Sequence, residues 1–257
     1  MKTVYLDNNA TTSIKPEVVD AMMPYLTDIW GNASSVFYEV GQRAEEELLK
    51  LRESVAKNIG AKNANEIYFT ASGCEADNWA IRGIAKALKE KGKHIITSAI
   101  EHAAVLQTCK YLETQGYEVT YLKVDSQGKI DLKKLEDAIR RDTILISIMY
   151  ANNEVGTIQP VKQIGDIAHA HGILFHTDAV QAYGQIPVSA VMDGFDLLSA
   201  SAHKFNGPKG VGFLYVKGYQ KIDSMLKGGE QELGKRAGTE NVPGIVGMAK
   251  AAKIAVQ

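Results

Sequence analysis

The 257-residue chain carries 29 Lys+Arg against 30 Asp+Glu, a net charge of −1, with 45% hydrophobic and 23% charged residues. This is close to the soluble globular average, so disorder, collagen and coiled coil are poor readings. The balanced charge disfavours direct nucleic-acid binding, no apolar run approaches the ~20 residues of a membrane span, and Asp7 sits where a signal peptide needs its apolar run, so the cytoplasm is the expected location.

The length allows one large domain or two small ones at roughly 100–200 residues each. Short β-branched apolar runs alternate with longer amphipathic ones. Strands are expected at 67–70, 94–97, 118–122, 143–150, 173–176, 197–200 and 211–216. Helical patterns lie between them at 75–90, 103–115, 132–139 and 161–171, and Leu132, Leu135 and Ile139 share one helix face. Such alternation indicates βαβ units and an α/β fold, a largely parallel sheet covered on both faces. Gly92, Gly116 and Gly172 fit helix C-terminal stops.

Chemistry-bearing residues cluster where strands end. After 67–70 comes Thr70-Ala71-Ser72-Gly73-Cys74-Glu75-Ala76-Asp77-Asn78, a small-residue turn opening a helix, where free N–H groups and the helix dipole favour a phosphate. Such turns are common in α/β proteins. After 94–97 comes Glu101-His102; a lone histidine is more often structural, but here the imidazole can stack on a planar cofactor and exchange protons near neutral pH. After 143–150 comes Asn152-Asn153-Glu154, ordinary turn formers or an amide for a ring hydroxyl. After 173–176 comes Thr177-Asp178-Ala179-Val180-Gln181, where the aspartate is a helix cap or an acid for a pyridinium nitrogen.

After 197–200 comes Ser201-Ala202-His203-Lys204, followed by Asn206-Gly207-Pro208-Lys209. Lys209 reads as a solvated surface residue. Lys204, beside another cation and an apolar strand, is suited to a Schiff base. Ten of the 23 glycines lie between Gly207 and Gly247, making tight turns or a ligand-facing segment. From Pro243 an alanine-rich helix runs to Ala255, and the sequence ends inside that pattern.

A lysine, an acid, a histidine, an amide and a phosphate turn at one sheet edge fit pyridoxal 5'-phosphate (PLP). A metal hydrolase needs a closer His/carboxylate cluster, so no metal is expected. A G-x-S-x-G elbow and a Walker A loop are both absent. The two cysteines, Cys74 and Cys109, have no CxxC spacing, which excludes a disulfide scaffold or cysteine zinc site.

The chain resembles the NifS/IscS-type cysteine desulfurases of the class V aminotransferase family, which share the aspartate-aminotransferase-like fold. The motifs run from Tyr5-Leu6-Asp7-Asn8-Asn9-Ala10-Thr11-Thr12 to Arg236-Ala237-Gly238-Thr239-Glu240-Asn241 and so cover nearly all of it. The resemblance implies a three-layer α/β/α large domain of PLP fold type I with a mainly parallel seven-stranded sheet. It implies an N-terminal arm at 1–15, a PLP-binding domain at 16–245, and the start of a connecting helix at 246–257. The family's small C-terminal domain, with its persulfide cysteine and carboxylate-gripping arginine, is expected beyond it.

By the same resemblance Lys204 bears PLP as a Schiff base and His102 stacks on the ring and serves in acid–base steps. Asp178 holds the pyridinium nitrogen, Gln181 the ring hydroxyl side, and Asn153 contacts cofactor or substrate. Gly73, Cys74, Ser201 and His203 hold the phosphate. Thr239 reaches the phosphate of a partner subunit, so a homodimer is implied. Cys74 departs from the threonine of many relatives, and a thiol is the weaker donor. The implied reaction takes L-cysteine to L-alanine and an enzyme persulfide, whose sulfur passes to an acceptor or iron–sulfur scaffold protein. The alternatives are a selenocysteine lyase, another class V enzyme, or a catalytically inactive binding subunit.

Overall fold

The structure, a computed structural model, describes residues 4–218 and 220–256. Seven strands are present: β1 (Ile67–Thr70), β2 (His94–Ser98), β3 (Glu118–Leu122), β4 (Thr143–Ser147), β5 (Leu174–Asp178), β6 (Leu197–Ser201) and β7 (Gly212–Val216). They form one sheet in the order β1-β7-β6-β5-β4-β2-β3. β7 is antiparallel to both neighbours and every other pairing is parallel, so the sheet is mainly parallel. Six strands therefore point their carboxyl ends to the same edge.

Every residue of β2, β4, β6 and β7 is buried, which explains why these strands read as continuous apolar runs rather than alternating ones. Consecutive side chains feed two separate cores. Ile95, Leu145, Leu197 and Leu214 pack with Trp79 and Ile81 of α3 (Gly73–Ala87) and with Val105 of α4 (Ala103–Thr114). Ile96, Ile146, Leu198 and Phe213 pack on the opposite face. There they meet α2 (Glu39–Asn58), α6 (Val161–Ala170) and α8 (Val242–Ala255). The result is the three-layer α/β/α arrangement. α8 also packs against α1 (Pro16–Thr27), while α5 (Leu132–Asp137) is a short helix capped by the Asp131 carboxylate.

Two expectations need correction. The strand expected at 143–150 ends at Ser147, although the Ile148 and Tyr150 N–H groups still donate to His176 and Asp178 carbonyls at 3.1 and 2.8 Å. The chain there swings away to form the site. Gly116 and Gly172 have φ of 82° and 66° just past α4 and α6, as helix stops require. Gly92 does not: α3 ends earlier, at Ala87, and a Cβ on Gly92 would lie 2.1 Å from the Asp142 carbonyl oxygen. Its role is close backbone approach.

The glycine-rich segment is fastened through α7 (Gln231–Gly234), where Glu232 and Leu233 adopt φ of 48° and 57°. Non-glycine residues hold that conformation only when their surroundings over-determine it. Here the buried Glu232 carboxylate accepts two bonds from Arg52, at 2.7 and 2.9 Å, and one from the Phe69 N–H at 2.8 Å. The loop beyond carries Arg236, whose guanidinium donates to Glu75 in the first turn of α3 at 2.8 and 3.2 Å.

Candidate active site

The carboxyl ends of β1, β2, β4, β5 and β6 surround a cavity of about 620 Å³, the position at which open α/β sheets bind ligands. Gly73, Cys74, His102, Asn153, Asp178, Gln181, Ser201, His203 and Lys204 all line it. The tenth expected residue, Thr239, lines a separate small cleft with Arg236 and Gly210. Within one chain the fold does not bring Thr239 to the cavity.

Lys204 follows β6 on a single 3₁₀ turn and its ammonium donates to the carbonyls of Asn9 and, at 3.0 Å, Ala10. Burial pulls its pKa down, while the Asp178 and Asp7 carboxylates oppose the fall. The arm is stitched to this segment: the Thr12 N–H and hydroxyl both donate to the His203 carbonyl, at 2.9 and 2.8 Å. Thr11 Oγ1 lies 3.0 Å from His203 Nδ1, and the Gln181 amide donates to the Asn9 carbonyl at 3.0 Å. Burial, then Lys204 and Lys209, lower the His203 pKa, so its ring is held neutral beside the lysine.

Asp178 ends β5. Its Oδ1 accepts the Val180 N–H at 2.9 Å, which turns the chain, and burial raises its pKa. His102 caps α4: its Nδ1 accepts the Ala104 N–H at 3.1 Å. A nitrogen that accepts there has no proton, so the neutral ring carries its proton on Nε2. Beneath it Glu101 is buried, and burial lifts its pKa to about 8 despite bonds from Ser98 and Met149.

At the start of α3, Ser72 caps the helix by accepting the Glu75 N–H at 3.1 Å. The N–H groups of Gly73 and Cys74 have no acceptor within the helix and belong to its positive end. A Cβ on Gly73 would lie 2.5 Å from Val180 Cγ2 and 3.2 Å from Ser201 Cβ, so glycine brings backbone against the cavity wall. Cys74 is exposed, and burial together with Asp77 and Asp178 raises its thiol pKa. Cys109 is buried, its pKa pushed up to about 12. Both are thiols rather than thiolates.

The residue-level reading did not single out Asp77, Glu101, or the arm residues Asp7, Asn9 and Ala10 as site residues. Asp77 is fully enclosed, and its Oδ1 has no hydrogen-bond partner among the described residues. A sequence signal existed. Asp77 interrupts the apolar face that Ala76, Ala80 and Ile84 define at helical spacing.

These features fit PLP on the structure's own terms. Two buried carboxylates, one with an orphaned oxygen, suit a protonated ring nitrogen. An anion-attracting helix start with a glycine cradle suits a phosphate. An amine of lowered pKa suits a covalent link to an aldehyde.

The family described as aminotransferase class-V matches residues 4–257. Among curated proteins, the chain is 58% identical to cysteine desulfurase IscS of Methanosarcina thermophila, over 99% of this chain and 62% of that protein. It is 53% identical to cysteine desulfurase IscS of Dictyoglomus turgidum, over 99% of this chain and 64% of that one. The chain thus spans less than two thirds of the length of these relatives. Among solved structures, a NifS-like protein superposes with a TM-score of 0.96 at 45% identity, covering 99% of this chain and 70% of that one. SspA in complex with cysteine gives 0.94 at 40% identity, covering 98% and 72%. With a family match along its whole described length and a mainly parallel sheet superposing on a NifS-like protein, the chain belongs to the aminotransferase class-V family, among its NifS/IscS-like members.

Proposed function

We propose that residues 16–245 are the cofactor-binding domain of a PLP-dependent cysteine desulfurase, which converts L-cysteine to L-alanine and leaves the sulfur as a persulfide on an enzyme cysteine. The observation that carries the reading is the convergence of Lys204, Asp178 and the start of α3 on one cavity. When bound, PLP supplies an electron sink for bond changes at the substrate's carbon atoms.

The chain's own residues do the rest. Lys204 would hold the cofactor covalently through its amine. Its neutral form is the nucleophile, and burial favours that form. Asp178 holds a positive charge at the ring nitrogen. Gln181 would hold the ring hydroxyl side, and Asn153 would contact the cofactor or substrate. The N–H groups of Gly73 and Cys74, with Ser201 and His203, hold the phosphate. His102 presents Nε2 to the cavity and moves protons at that atom.

Neither cysteine serves as the persulfide nucleophile. Cys109 is buried and Cys74 lies against the phosphate turn with a raised pKa. The sulfur-accepting thiol therefore comes from outside residues 4–256, with residues 246–257 beginning a connecting helix. A homodimer is part of the reading, with Thr239 serving the partner's phosphate. Exposed Leu6, Trp30 and Phe37 near the N-terminal end support it, Phe37 being 90% exposed. The sulfur passes to an acceptor or iron–sulfur scaffold protein. The site of action is the cytoplasm, consistent with two unpaired cysteines; no helix among the described residues is long and apolar enough to cross a membrane.

The test is borohydride reduction of the PLP-treated protein with peptide mapping. The expected result is one reduced adduct on Lys204, absent in Lys204→Ala. An unmodified Lys204, or an unchanged absorbance spectrum in the variant, refutes the assignment. The 257-residue chain alone is expected to release no alanine from L-cysteine, and steady alanine release with a persulfide on Cys74 or Cys109 refutes the external thiol.

A further inference from the structure

Asp77 lies on α3 one turn beyond Gly73, 1% exposed, with its carboxylate turned into the cavity rather than to solvent. Its carboxylate, that of Asp178 and the His102 ring each place a polar atom within 4.8 Å of the others. Several titratable groups face this pair. Glu101 sits below, His102 caps α4, Lys204 comes from the turn after β6, and Cys74 lies on the same helix. His176 Nε2, from β5, is 3.7 Å from Asp77 Oδ1, but its nitrogens are engaged by Ser147 and Ser199 hydroxyls at 2.9 and 3.0 Å. Burial holds that ring neutral, its pKa near about 3, so it brings Asp77 no positive charge.

Two carboxyl groups this close in an enclosed site do not both ionise without a cation between them. Asp77 Oδ1, on the His176 side, also has no hydrogen-bond partner among the described residues, while the residue itself lines the cavity beside Asp178. We propose that Asp77 and Asp178 form an acid pair that holds one proton between them, and that the pair gives up this proton when PLP brings its positive ring nitrogen into the cavity. The inference rests on the PLP reading above. The O–H bond of the pair breaks and its proton leaves to water or buffer. The pair goes from one negative charge to two, the ring nitrogen keeps its charge of +1, and the released proton balances the change. Asp77 is then a positioning residue: it stores the proton and helps enclose the positive nitrogen, while Asp178 makes the direct contact. Burial and the neighbouring Asp178 raise the Asp77 carboxyl well above the usual range, as a proton-holding partner requires.

The experiment is calorimetric titration of PLP into the unaltered protein and into Asp77→Asn, each in two buffers of different ionisation enthalpy, to count protons taken up per PLP bound. In the variant the proton shared by the pair is gone, so PLP binding has none to displace. The variant is expected to take up one more proton per site than the unaltered protein. Equal uptake, with the Lys204 adduct intact in both, overturns the acid pair and leaves the PLP reading standing. Absence of PLP binding and of the adduct in the unaltered protein overturns both. Should Asp77→Asn not fold, the infrared difference spectrum of the unaltered protein on PLP loading decides. Loss of one protonated-carboxyl C=O band supports the pair, and persistence of that band overturns it.

Discussion

Replacing Glu101 with glutamine isolates the pH dependence that burial imposes beneath the site. Glu101 is 6% exposed; its Oε1 accepts the Ser98 hydroxyl at 2.5 Å and both carboxylate oxygens accept the Met149 N–H at 3.0 Å. Burial outweighs these bonds, and Asp178 adds to it, so the carboxyl moves from 4.5 to about 8. The folded protein therefore binds this proton more tightly than the unfolded chain. The stabilisation is complete below the unfolded value and is lost as pH rises through about 8. At 1.36 kcal/mol for each tenfold, the loss amounts to roughly 5 kcal/mol as an upper order of magnitude.

Glutamine matches the shape of the protonated acid and has no charge to bury. Glu101→Gln is expected to change stability by less than about 1 kcal/mol near pH 5, and to exceed the unaltered protein by a few kcal/mol near pH 9. The assay is urea unfolding of both proteins, without PLP, across that range. A difference between the two proteins that does not change with pH refutes the reasoning. So does a variant that falls further behind as pH rises.

Three further perturbations probe the frame of the site. Gly73→Ala puts a methyl 2.5 Å from Val180 Cγ2 and is expected to weaken PLP binding at least about tenfold in an absorbance titration; an unchanged Kd removes Gly73 from the cradle. Cys74→Thr replaces a weak donor with a hydroxyl and is expected to tighten PLP binding several-fold, about 0.5–1.5 kcal/mol, whereas no change means that the backbone N–H groups suffice. Glu232→Ala leaves the Arg52 guanidinium buried without its anion and the Phe69 N–H without its acceptor. Its cost is expected at about 3–5 kcal/mol by urea unfolding, partly recovered by adding Arg52→Met; a loss below about 1 kcal/mol shows the pair does not anchor the loop.

Much of the fold was legible because parallel sheets bury both faces. Runs such as 143–147 are continuous apolar stretches between helical patterns, and their number and order follow from the alternation. The strand end at Ser147 was harder to place, because Ile148, Met149 and Tyr150 remain buried and apolar while no longer in regular pairing. Periodicity reports burial, and burial continues past the strand. Gly92 shows the same limit: a glycine near a helix end reads as a stop, and only the approach of the Asp142 backbone reveals its steric role.

At the site, Lys204, Asp178, His102 and the Ser72-Gly73-Cys74 turn could be named from the sequence alone. Each ends or follows a strand, and the carboxyl ends of parallel strands share one edge. Local order thus determined which residues face the cavity. Tertiary structure decided what lies between them. Asp77 is 101 positions from Asp178, Asn9 is 195 from Lys204, and Arg52 is 180 from Glu232. No periodicity links such pairs. Their charges and hydrogen bonds acquire meaning only when the crossover connections bring α3, the arm and the glycine-rich loop onto one sheet edge, where exclusion of water turns an unremarkable aspartate into an acid that needs a partner.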